Sequence, residues 1–127
     1  MPFRRVSLLL IVLLVTLAGF GAQALARRGV SGTEKRTIMT AAGVKTQAPL
    51  SCYRVYVSTV GSRWAVTTYG GSSTKPCIAY AADGVSVTHL VHGRWRFLTA
   101  GSAFNCPIPG HIPAGVRRDL RLFCHRG

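Results

Sequence analysis

The chain has 127 residues, with 16 Lys+Arg against 3 Asp+Glu and a formal net charge of +13. That length holds one domain and excludes large catalytic barrels, doubly wound nucleotide-binding enzymes and multi-domain machines. Hydrophobic residues make up 48% of it, too many for a disordered chain, and the only carboxylates are Glu34, Asp83 and Asp119, which leaves few ways to build a catalytic acid pair.

Met1 to Arg5 is a short basic opening, and Val6 to Phe20 is a near-continuous apolar run of 15 residues. Ala22-Gln23-Ala24 and Ala24-Leu25-Ala26 both fit a small-x-small cleavage site. The layout predicts a secretory signal peptide over 1–26 and a single disulfide-stabilised domain over 27–127. An uncut anchor is the alternative reading, but the run is shorter than the ~20 residues of a spanning helix. Leu17-Ala18-Gly19 resembles the start of a lipoprotein site, yet Phe20 stands where the lipid-bearing Cys would have to be.

Residues 27–30 are basic and are expected to fray. Ser31-Gly32-Thr33-Glu34 matches a capping box, with Ser31 as N-cap and Glu34 three positions on. A short helix over 32–42 follows, placing Ile38, Met39 and Ala42 on one face and ending at Gly43 in a left-handed conformation. Tyr53 to Val60 is rich in β-branched and aromatic residues and reads as a strand. Gly61-Ser62 is a two-residue turn candidate, and Trp64 to Tyr69 returns as the second arm of a hairpin. Gly70 to Pro76 is a loop by composition, and Ile78 to Ala82 reads as a short strand before an Asp83-Gly84 turn. Val85 to Val91 alternates as a strand, His92-Gly93 turns, and Arg94 to Thr99 returns. Trp95 and Phe97 share one face of that strand, and Arg94 and Arg96 share the other. Ala100 to Ile112 is irregular. Pro113 suits the first turn of a helix that sets Val116 and Leu120 one turn apart, with Arg117, Arg118 and Arg121 covering the rest.

Cys52, Cys77, Cys106 and Cys124 are separated by 25, 29 and 18 positions. No pair has zinc-knuckle or Cys-x-x-Cys spacing, so an even count in an exported domain reads as two disulfides. Three connectivities are open. Cys52–Cys77 with Cys106–Cys124 is favoured because each then ties neighbouring segments.

These elements predict an α+β architecture. It is an antiparallel sheet of about four strands, with an N-terminal and a C-terminal helix packed on one face. The expected buried face takes Val55, Val57, Trp64, Val66, Val87, Trp95, Phe97, Val116 and Leu120. The opposite face would be wet and cationic.

Trp64-Ala65-Val66, Gly93-Arg94-Trp95-Arg96-Phe97, Ala100-Gly101-Ser102, Cys106-Pro107, and Pro113 through Arg117-Arg118-Asp119-Leu120 to Cys124 carry a resemblance over most of residues 31–124. The chain resembles a group of small exported proteins of high-GC actinobacteria that share a Trp-Ala strand, a Gly-x-Trp strand, a Cys-Pro segment and a closing Asp-Leu…Cys. The resemblance implies export and transfers no functional residue, since the group has no established activity. Thirteen Arg against three Lys fits such a source. The stretch Cys106 to Pro113 also resembles a segment of the subtilisin inhibitors of the same bacteria, without their reactive-site loop beside a cysteine.

Ser72-x-x-Lys75 matches the nucleophile spacing of penicillin-recognising enzymes, but the companion motifs are missing, and the pair falls in a Gly-rich loop rather than at a helix start. His89 and His92 are three apart and point to opposite faces of a strand, so they cannot share a metal. His111 and His125 lie in irregular segments. No metal site and no cofactor are expected. A secreted ribonuclease would need a base and an acid flanking a phosphate, and no local pair supplies them. Neither a Gly-x-Ser-x-Gly elbow nor an RNA-binding signature is present, so nucleic acid is not an expected partner.

The charge carries the functional expectation. Arg94 and Arg96 on one strand face, with Arg117, Arg118 and Arg121 on a helix, could form an anion-attracting surface. The expected function is a non-enzymatic, extracytoplasmic binding module. Its expected partner is an anionic envelope polymer, anionic lipid headgroups or an acidic protein. A secreted protease inhibitor and a small secreted hydrolase are the alternatives.

Overall fold

The computed structural model describes residues 27–70 and 74–127. The expected signal peptide over 1–26 lies outside the described residues. The fold is α+β, and its centre is a five-stranded antiparallel sheet with the strands in chain order. Its strands are β1 (Arg28–Gly29), β2 (Tyr53–Val57), β3 (Trp64–Tyr69), β4 (Val85–Val91) and β5 (Arg94–Gly101). Three helices join it: α1 (Gly32–Ala41), α2 (Lys75–Ile78) and α3 (Ala114–Asp119). A parallel pair, β6 (Phe104–Asn105) and β7 (Cys124–His125), closes the C-terminal segment.

The sheet gains a fifth strand because residues 28–29 do not fray. They pair with Val57 and Tyr56 on β2. Val30 then extends the ladder by donating its N–H to the Val55 carbonyl. Ser31 has the extended backbone of an N-cap but makes no side-chain cap bond. Glu34 does not close the expected capping box either. Its two oxygens take a fork of bonds from Arg28, at 3.0 and 3.2 Å. A carboxylate gains more from a bidentate guanidinium than from one backbone amide. Gly43 ends α1 with φ +86° while Val44 N–H reaches back to Met39 O. That is a left-handed C-terminal cap.

Strand alternation divides the core in two. Val55, Val57 and Ala65 face α1, packing with Ile38, Met39, Tyr53 and the Cys52–Cys77 pair. Val66 and Val87 face the other way and pack with Phe104, Ile108, Ile112, Val116, Leu120 and Leu122. Ala65 and Val66 are adjacent on β3 and so must point to opposite faces. The two helices expected on one face therefore lie on opposite faces of the sheet. A five-stranded sheet with apolar residues on both sides needs two covers: α1 supplies one, and the 104–122 segment supplies the other.

Six of the nine residues expected in the core are buried. Trp64 and Trp95 are half-buried, and Phe97 is 56% exposed. Phe97 lies on the edge strand, where no neighbouring strand covers its outer flank.

Both disulfides form as favoured, Cys52–Cys77 and Cys106–Cys124, with Cα separations of 5.2 and 5.0 Å. The segment expected as a strand over 78–82 is instead the end of α2 and a turn, with Tyr80 N–H bonded to Cys77 O. The disulfide holds Cys77 against the turn before β2, and Tyr53 Oη donates to Tyr80 O at 2.6 Å. Those two ties curl the segment back, so it does not join the sheet. The hairpin turn at His92-Gly93 has φ of +49° and +73°, the paired positive angles that match the twist of the strands.

Candidate functional site

The β2–β3 connection is wider than the expected Gly61-Ser62 turn, because β2 ends at Val57. Ser58 N–H still donates to Trp64 O at 2.9 Å, and beyond it Asp119, at the last turn of α3, holds the wider turn. Its Oδ2 accepts the Ser58 hydroxyl at 2.8 Å and the Thr59 N–H at 2.7 Å. Ser58 Oγ in turn accepts the N–H groups of Val60 and Gly61. This network seats Val60 over the start of α3, where a Cβ built at Gly115 would lie 3.4 Å from Val60 Cγ1.

Between this turn, β2 and α3 lies an open cleft of about 630 Å³. Arg54 and Tyr56 enter it from β2, two residues apart and therefore on the same face of the strand. Arg118 and Arg121 enter from α3 and its exit, and Arg27 enters from the residue before β1. The Arg27 guanidinium lies 3.8 Å from the Tyr56 ring centroid. That cation–π contact fixes Arg27 over the cleft wall. Arg121 has φ +57° and donates its N–H to Arg118 O, which turns the chain sharply as it leaves the helix.

Among the described residues, one salt bridge forms, Arg28 with Glu34. Asp119 also lines the cleft, but its charge is engaged by Ser58 and Thr59. Burial alone would raise its carboxyl, yet the hydrogen bonds from Ser58 and Thr59 outweigh that and hold it below the ordinary value of 3.8. Arg54, Arg118 and Arg121 thus line one cleft, and among the described residues none of them forms a salt bridge. Three guanidiniums of one sign around a concave surface raise the local concentration of anions.

The structure divides the five arginines named from sequence. Arg118 and Arg121 are in the cleft. Arg117 is not: its Nη1 donates to Ile112 O at 3.0 Å, and the residue lines a separate hollow beside Cys106–Cys124. Arg94 and Arg96 are exposed on β5, where they pair in register with Val91 and His89. They share the sheet face of Arg54, but three strand spacings, about 14 Å, separate β5 from β2. Sequence reasoning missed Arg27 and Arg54. The alternation of β2 placed Arg54 opposite Val55, and that was the available signal.

The histidines are dispersed. His89 stacks on Trp64, with ring centroids 3.8 Å apart and planes 11° from parallel. Burial, and secondarily the charge of Arg63, lowers its pKa from the ordinary 6.5, so the neutral ring is favoured. His92, His111 and His125 are exposed. Among the described residues, no three His, Cys, Asp or Glu side chains gather to hold a metal. Ser72 lies outside the described residues, and Lys75 opens α2.

No protein-family model, curated protein or solved structure matches the chain.

Proposed function

We propose that the protein is a non-enzymatic, exported binding module that takes an anionic component of the cell envelope, or an acidic partner, in the arginine cleft. The observation that carries this reading is the convergence of Arg54, Arg118 and Arg121 on one concave surface with, among the described residues, no carboxylate paired to any of them. Arg27 and Tyr56 form the wall. Arg94, Arg96 and Arg117 stand apart and contribute only to the long-range field, which ionic strength screens over about 10 Å at 0.1 M salt.

One further feature supports the extracytoplasmic setting. Two disulfides suit an oxidising compartment. Together with the leader expected over 1–26, they fit a small protein that works outside the cytoplasm, in line with the resemblance to small exported actinobacterial proteins.

Sedimentation with purified cell walls at rising salt tests the reading. The expected result is binding at low salt that weakens steadily as salt rises. Absence of binding at low salt, or binding indifferent to salt, contradicts it.

A further inference from the structure

Among the described residues, four large hydrophobic side chains are strongly exposed: Val60 (50%), Ile78 (58%), Phe97 (56%) and Phe123 (70%). One of them, Val60, lines the cleft, and Phe123 lines a second hollow that shares Arg121 with it. Phe123 is held there by its neighbours. Leu122 is buried in the core and donates its N–H to Arg117 O, and Cys124 is fixed by its disulfide and by β7. With both neighbours pinned, the ring is presented outward by a braced backbone. Val60 is likewise braced through the Ser58–Asp119 network.

A soluble polyanion needs only the guanidiniums. An aromatic and an aliphatic side chain beside a cationic cluster suit a surface that is charged outside and apolar just beneath. We infer that this edge of the molecule docks on a bilayer of anionic lipids, with a headgroup phosphate in the cleft and Phe123 and Val60 at the acyl boundary. The inference rests on the anion-binding reading above and names its partner. Arg54, Arg118 and Arg121 supply the forks for the phosphate, since guanidinium matches phosphate oxygens in bidentate fashion. Ile78 and Phe97 line neither hollow and stay in water.

The test places a tryptophan reporter at position 123. Phe123→Trp and, as control, Ile78→Trp are mixed with phosphatidylglycerol or phosphatidylcholine vesicles whose acyl chains carry bromine. The expected result is quenching of Phe123→Trp in phosphatidylglycerol alone, with Ile78→Trp unchanged beyond the background of Trp64 and Trp95. Adding Arg118→Gln with Arg121→Gln to the reporter chain is expected to weaken partitioning at least tenfold, since each basic residue near an anionic surface is worth roughly fivefold. No quenching at position 123, or equal quenching at 78, overturns the inference. Soluble polyphosphate separates this failure from that of the underlying reading. Salt-sensitive polyphosphate binding without quenching leaves the anion-binding reading standing and removes the lipid. Absence of both removes the two together.

Discussion

Asp119 accepts hydrogen bonds from residues 60 and 61 positions earlier in the chain. It thereby shapes the cleft, since Val60 and the exit of β2 follow from where Ser58 and Thr59 are held. Its folded carboxyl lies below the ordinary 3.8. A depressed carboxylate contributes stability that is complete above the unfolded value and is lost as pH falls through the folded one. Asp119→Asn is therefore expected to cost about 1 to 2 kcal/mol near neutral pH, the scale of hydrogen bonds to a charged group. It should also flatten the fall in melting temperature below pH 4, and thermal melts from pH 2 to 7 check both. Thr88 shows the opposite case. It is fully buried on β4, and its hydroxyl has no hydrogen-bond partner among the described residues. An unsatisfied buried hydroxyl carries a desolvation penalty, so Thr88→Val is expected to raise stability by about 1 kcal/mol in urea unfolding.

At the scale of elements, the strands and turns were legible where the pattern is local. β3 and β4 match their expected bounds, and His92-Gly93 turns as its residue types require. Local pattern failed where a distant partner decides. Residues 28–29 became a strand because β2 offered a free edge. Segment 78–82 left the sheet because Cys52 and Tyr53 hold it. The turn after β2 is wider because Asp119 holds Ser58 and Thr59. None of those partners is visible within a window of sequence. Gly84 has φ +86°, and a Cβ there would lie 2.6 Å from Gly101 O. Gly84→Ala must shift the start of β4 from the end of β5, and it is expected to cost at least about 2 kcal/mol by calorimetry. The Cys106–Cys124 bridge closes an 18-residue separation around α3 and braces the cleft's arginine-bearing exit. Replacing both cysteines by serine is expected to cost roughly 3 kcal/mol in the chain-entropy model, read from urea unfolding fitted with its own slope, which rises as the unlinked denatured chain exposes more surface.

At the scale of the whole molecule, the charge of +13 was plain from sequence, but its distribution was not. Arg118 and Arg121 were found by helical spacing, and topology separates them from Arg94 and Arg96 on β5. Arg54 joined them only because β2 lies beside the C-terminal segment on that sheet face. A field spread over the surface and a cleft that gathers guanidiniums make different predictions for the same loss of charge. The deciding measurement compares two double variants by cell-wall sedimentation at fixed low salt: Arg118→Gln with Arg121→Gln, and Arg94→Gln with Arg96→Gln. Each removes two positive charges. The cleft predicts that the first pair loses at least tenfold in affinity while the second loses a few-fold or less. Equal losses from the two pairs would contradict it and leave net charge alone as the determinant.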